Sequence, residues 1–313
     1  MMKTNLQSIP PLAASITKAA SRQTFYTIRF LADPERAADA FRAYAYFRWL
    51  DDCLDAESAS GEERGEFVRR QKSLLESCYR AESFPEASPV EETLVELIRN
   101  DAEKNSGLRS YLFNMMAVME FDAGRRGRSI TQSELNQYTR WLALAVTEAM
   151  HYFIGHDCFA PRDETRALAV AGAHVTHMLR DTFDDVRAGY FNIPREVLEA
   201  NHIAPQDVES EAYRAWVRSR ANLARSYFRA GRDYLNRVES PRCRLAGYAY
   251  MARFEWLLDT IEREDFLLRP AYNERKSMFA GFRMGWLALA SAFSLRDGNA
   301  PQPVPVRART ERR

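Results

Sequence analysis

The sequence predicts an all-α protein, a single domain of about ten helices. Three observations carry that expectation. Apolar residues recur mostly at the helical period, with few alternating stretches. Glycine is sparse, 13 in 313 residues, so long segments run without a breaker. The breakers that do occur fall between the periodic segments, as Pro85, Pro161, Pro194, Pro205, Pro241 and Pro270 do.

Taken in order, residues 13–31 read as the first helix. Asp33-Pro34 precedes a second at 35–55, and Ser60-Gly61-Glu62-Glu63 opens a third at 61–79. Helices at 90–104 and 107–123 follow. Thr131, with Glu134 three residues on, resembles a capping box at the start of 132–154. The remaining segments are 163–187, 209–238, 242–267 and 272–295. No repeat at solenoid periods interrupts the pattern. Residues 1–12 read as an N-terminal extension and 13–297 as the helical domain. Residues 298–313, with Pro301, Pro303 and Pro305 ahead of a basic end, read as a disordered tail.

Composition excludes several functions. A net charge of +1 gives no electrostatic reason to expect nucleic acid. Cys53, Cys78, Cys158 and Cys243 form no C-x-x-C pair and no disulfide framework, which fits a reducing cytoplasm. Residues 1–16 lack the apolar core of a signal peptide. No apolar run reaches the ~18 residues of a membrane span. The longest candidate, 284–293, reads as a core helix or as a surface facing one lipid leaflet.

Chemistry enters through two aspartate clusters. Asp51-Asp52-Cys53-Leu54-Asp55 follows an aromatic-rich stretch, and Asp181-Thr182-Phe183-Asp184-Asp185 lies about 130 residues downstream. Each contains Asp-x-x-x-Asp, and on a helix positions i and i+4 share a face. Like charges there destabilise a bare helix, so a chain that does this twice is expected to meet a cation. Carboxylates suit Mg²⁺, which keeps several waters and bridges to substrate phosphates. That points to metal-assisted departure of a diphosphate.

The flanks of these clusters carry a resemblance. Tyr44-x-x-x-Arg48-x-x-Asp51-Asp52-x-x-Asp55, then Leu179-Arg180-Asp181-x-x-x-Asp185, Arg187-x-Gly189 and Pro194, is similar to the squalene/phytoene synthase family. The likeness runs from about Ser21 to Lys276 and takes in Thr24-Phe25-Tyr26, Asp122 with the basic stretch after it, Tyr138, and Leu257-Leu258-Asp259. The family implies the all-α isoprenoid synthase fold, built around a central cavity, and the head-to-head coupling of two prenyl diphosphates. By position, it implies Asp51, Asp55, Asp181 and Asp185 as Mg²⁺ ligands, with Mn²⁺ an acceptable substitute. Tyr44, Arg48, Asp52, His177 and Arg180 would act at the reacting centre. Ser21, Thr24, Phe25, Tyr26, Tyr138, Arg187, Tyr190, Asn192 and Phe254 would meet the substrate.

Several positions depart from the family pattern. His177 stands where an Asn is usual and His174 where a Gln is. Tyr190 and Asn192 replace an Arg and a Tyr, Leu144 and Thr147 replace small residues, and Phe254 replaces a Tyr. His174, His177, Asp181 and Asp185 share one helical stripe. They read as a transition-metal site, as a substitute for the Asn, or as two hydrogen-bonded core histidines. His151 and His156 read as closing a helix end. Arg125, Arg126 and Arg128 read either as a steering cluster for diphosphate or as a solvated helix end.

The default expectation is a prenyltransferase making a squalene- or phytoene-type product from farnesyl or geranylgeranyl diphosphate through a cyclopropyl diphosphate. NADPH use stays open. So do ionisation with cyclisation or hydrolysis of a single prenyl diphosphate, and a non-catalytic helical homologue acting in assembly or lipid binding. Long isoprenoid chains also make peripheral membrane contact an expectation. The sequence carries no signal for oligomeric state.

Overall fold

The computed structural model describes residues 11–56, 60–82, 87–103 and 105–272. Eleven helices occupy them: α1 (Pro11–Ala20), α2 (Arg22–Leu31), α3 (Ala37–Leu54), α4 (Gly61–Tyr79), α5 (Pro89–Arg99), α6 (Gly107–Arg125), α7 (Gln132–Phe153), α8 (Leu168–Ala188), α9 (Arg195–Asn201), α10 (Glu211–Asn236) and α11 (Pro241–Arg263). The protein is all-α. Among the described residues the only β feature is an isolated bridge between Ser129 and Phe191.

Side-chain caps set most of the helix starts. Ser60, Ser88 and Thr131 each accept from the backbone three residues on, while Glu63, Glu91 and Glu134 reach back to the cap, completing capping boxes. Ser21 does the same for α2 by accepting from the Thr24 amide, and its extended backbone splits the expected helix 13–31 in two. The expected helix at 163–187 starts only at Leu168. Asp163 accepts from the Thr165 amide at 3.0 Å and holds the preceding residues in a turn. The expected end at residue 267 comes at Arg263, because Asp265 and Phe266 adopt left-handed backbone. The short α9 was not anticipated. The helix expected at 272–295 lies almost wholly outside the described residues. The apolar run 284–293 and the basic tail lie fully outside them.

Helix α8 is the hub. It packs against α7, α10 and α11, and its stretch from Ala169 to Leu179 is buried apart from His177. Small residues bring α10 close. A Cβ at Gly231 would sit 2.7 Å from that of Ala169, and one at Gly172 would sit 3.0 Å from the Phe228 ring. α6 and α7 pair on one side, and α3 lies between α1, α5 and α6. The ends of α3, α6 and α8 and the start of α7 surround a central cavity. Among the described residues no helix is long and apolar enough to cross a membrane.

Candidate active site

A cavity of about 290 Å³ opens where these helices converge. Asp51 and Asp55 reach it from the last turn of α3, and Asp181 and Asp185 from α8. The two aspartate pairs, 130 residues apart in sequence, thus line one space. Their crowding has an electrostatic cost. Burial, then the neighbouring Asp55, pushes Asp51 up to about 6, against the pull of Arg48. Burial, then Asp181, pushes Asp185 up to about 7.

Between the two walls stands a buried network. Arg125, at the end of α6, donates to Asp122 at 2.6 Å and to the Asn192 side chain at 2.9 Å. Asn192 in turn donates to Asp185 at 2.7 Å, and the Tyr138 hydroxyl donates to Asp122 at 3.0 Å. The guanidinium lies 4.8 Å from the Tyr138 ring centre and 5.0 Å from that of Tyr190. Burial raises the Asp122 carboxyl despite Arg125 beside it. The backbone makes this possible through two left-handed glycines. Gly189 ends α8 at φ +86° and Gly127 follows α6 at φ +75°, with the Gly127 amide donating to the Gly189 carbonyl at 2.7 Å. A Cβ on Gly189 would press 3.3 Å from the Gly127 nitrogen. The turn returns the chain so that Tyr190 and Asn192 face the cavity.

The remaining cations rest on the carboxylates. Arg48 pairs with Asp51 at 3.2 Å and also with Asp52. Arg180 forks onto Asp181 at 2.5 and 2.6 Å and meets the His177 ring. His177 also lies 3.3 Å from Asp181. Among the described residues no three His, Cys, Asp or Glu side chains gather as a ready-made cage for one ion. A donor set of carboxylates split over two walls suits a hard cation that takes one or two from each and completes its shell with water and phosphate oxygens.

The family model of squalene/phytoene synthases matches residues 17–278. The chain belongs to the squalene/phytoene synthase family. A 15-cis-phytoene synthase from Synechocystis sp. is 23% identical over 288 residues, spanning 85% of this chain and 81% of that protein. Among solved structures, a dehydrosqualene synthase in complex with ligand superposes with a TM-score of 0.68 at 16% identity, covering 90% of this chain and 95% of its own. The squalene synthase HpnC from Alicyclobacillus acidocaldarius gives 0.64 at 17%, covering 82% and 94%. These likenesses show the isoprenoid synthase fold. Family membership makes the protein a prenyl-transferring enzyme, in a family that couples prenyl groups head to head.

Within this family frame, Tyr138, His177, Tyr190 and Asn192 line the carboxylate cavity together with the four aspartates. Phe254 stands beside it, its ring edge-on to His177 at 6.1 Å. Tyr44 is half-buried one turn before Arg48. The N-terminal group does not line the cavity. Ser21 and Thr24 bond each other at 2.9 Å as a cap, Phe25 packs on Phe41, and Tyr26 is half exposed and stacked on Phe30. Arg187 faces solvent in a pair with Asp184.

The three arginines after Asp122 divide between the two readings. Arg125 is buried in the site, whereas Arg126 and Arg128 are exposed and bond Ala188 and Glu134. The central role of Arg125 was not assigned from sequence. Its signal was Asp122-x-x-Arg125 just before a glycine, one turn of helix holding opposite charges. The reading of His174 and His177 as two hydrogen-bonded core histidines is corrected. His177 is half exposed and bonded to Arg180, while His174 is buried with both ring nitrogens unpartnered.

Proposed function

We propose that this protein is a Mg²⁺-dependent synthase that condenses two farnesyl or geranylgeranyl diphosphates head to head into a squalene- or phytoene-type product, through a cyclopropyl diphosphate. The observation that carries this reading is the facing of two Asp-x-x-x-Asp pairs across one cavity, with Asp51 and Asp185 pushed up by burial and then by the aspartate four residues away in each pair. Asp51, Asp55, Asp181 and Asp185 would hold the metal, and Mn²⁺ would serve through the same oxygen donors. Bound metal would neutralise the leaving diphosphate as its C–O bond breaks.

The chain's own residues supply the rest. Arg48 and Arg180 turn from their carboxylates to the diphosphate oxygens, with two-pronged charge-assisted hydrogen bonds. Until then Asp52 pairs with Arg48. Arg125 and Asn192 fix Asp185 and Asp122, so the α6 and α8 walls keep their spacing. Tyr44 and the Tyr138, Tyr190 and Phe254 rings give the allylic cation polarizable faces and keep water away. Behind them Ala143, Val170 and Ala171, with Val146, Tyr227 and Tyr250, form an apolar cluster suited to an isoprenoid chain.

A lipid surface fits this substrate. On α2 the exposed Tyr26 and Phe30 rings stack beside exposed Arg22 and Arg29, a pattern for shallow interfacial contact. Flotation with anionic liposomes is expected to carry the protein upward. Recovery wholly in the soluble fraction contradicts the contact.

The function is tested by incubating the protein with Mg²⁺ and each prenyl diphosphate, with and without NADPH, then identifying extracted products by mass spectrometry. A product with twice the substrate's carbons is expected. A product of unchanged carbon number would make the enzyme a cyclase or hydrolase. No diphosphate release from either substrate would overturn the reading.

A further inference from the structure

His174 is the anomaly of the cavity. It lines the same space as the aspartates, is only 4% exposed, and neither ring nitrogen has a hydrogen-bond partner. Buried polar atoms are nearly always bonded, so a native exception calls for a reason. The ring is not loose filler, since it packs edge-on against Tyr138 at 5.1 Å. Burial, then His177, Arg125 and Arg220, holds it well below the usual histidine range and therefore neutral. A neutral imidazole carries one nitrogen with a bare lone pair.

Several other polar groups of the cavity are committed. The Tyr138 hydroxyl serves Asp122, Asn192 serves Asp185, and His177 contacts Arg180 and Asp181. On the reading above, Asp51, Asp55, Asp181 and Asp185 would be occupied by metal. Of the two imidazoles lining the cavity, His174 is the one whose ring nitrogens are unclaimed. A carbocation generated in this space is a powerful acid at the carbons beside its centre.

Resting on the prenyl-synthase reading above, we propose that the bare ring nitrogen of His174 takes the proton that ends the carbocation sequence, so that the enzyme releases a polyene without a hydride donor. The C–H bond next to the cationic carbon breaks. Its electron pair becomes the second bond of a new C=C, and the proton forms an N–H on His174. The imidazolium then passes the proton to the departing diphosphate, so no oxidant or reductant is required.

The test compares wild type, His174→Phe and His174→Ala with Mg²⁺ and farnesyl or geranylgeranyl diphosphate, without NADPH, reading the share of each extracted product. Wild type is expected to give a doubled-carbon polyene with one more double bond than the reduced hydrocarbon. In His174→Phe, which keeps a packed ring but no base, the polyene share is expected to fall at least about tenfold. Cyclopropyl diphosphate and water-quenched alcohols should replace it. Added 4-methylimidazole should restore the polyene in His174→Ala, an outcome that a merely structural role would not produce. An unchanged polyene share in His174→Phe, or no rescue of His174→Ala, would overturn the proposal. Wild type that releases no diphosphate removes the prenyl-synthase reading first, and the proposal with it.

Discussion

Two histidines on neighbouring helices show how differently the molecule treats its two ends. His151, near the end of α7, is buried and bonded: the Tyr234 hydroxyl lies 2.8 Å from Nε2 and the Cys243 sulfur 3.5 Å from Nδ1. Around it several charges are paired. Arg166 meets Glu148 at 2.5 Å, and buried Asp33 accepts from the Gly155 and His156 amides and pairs with Arg242. His174, at the cavity end, has no hydrogen-bond partner at either ring nitrogen, and the carboxylates nearby repel one another. Satisfied polar groups specify a fold. Groups left in conflict are poised for a ligand to resolve, at a cost in stability that the paired end offsets.

That contrast breaks if both ends respond alike to mutation. The largest expected effect is on turnover. Asp51→Ala or Asp181→Ala should lower diphosphate release by at least about a thousandfold, with helical circular dichroism intact. Next, Arg125→Met leaves Asp122 and Asn192 without their shared donor. The Mg²⁺ concentration for half-maximal activity should rise about ten- to hundredfold, as for other groups that orient metal ligands.

At the paired end, Asp33→Ala should cost roughly 2–3 kcal/mol in urea unfolding, because it strands two amides. The Mg²⁺ dependence should not move. Asp185→Asn should do the reverse in metal-free protein. The Asp185 carboxyl stays protonated up to about pH 7 in the fold but ionises near pH 4 in the unfolded chain. The folded state therefore binds more protons across that window, and wild-type stability falls as pH rises through it. The variant should match wild type near pH 4 and exceed it by about 1–3 kcal/mol at pH 8. Loss of stability at pH 8 would mean that Asp185 is paired rather than in conflict.

The paired end was the harder to read from sequence. Helical period, capping boxes and breakers located most helices, because each is a local signal. The split at Ser21 and the turn held by Asp163 escaped it, since one side-chain hydrogen bond decides each against a continuous helical pattern. The aspartate pairs were legible because like charges at i and i+4 are costly without a purpose. Arg125 was not, because its neighbours in sequence, Arg126 and Arg128, are solvated and only the glycine turn sends it inward. His174 stood out as a departure from the family, but its lack of a partner depends on how α7 and α8 pack, which no local pattern encodes.

Both carboxylate walls would hold metal together and so contribute jointly to binding a diphosphate. The most direct measurement is calorimetric binding of a non-ionising farnesyl thiodiphosphate to wild type, Asp51→Asn and Asp185→Asn, with and without Mg²⁺. Tight binding only with Mg²⁺, weakened by either substitution, is the expected result. Binding that is equally tight without Mg²⁺, or that responds to one wall alone, would contradict it.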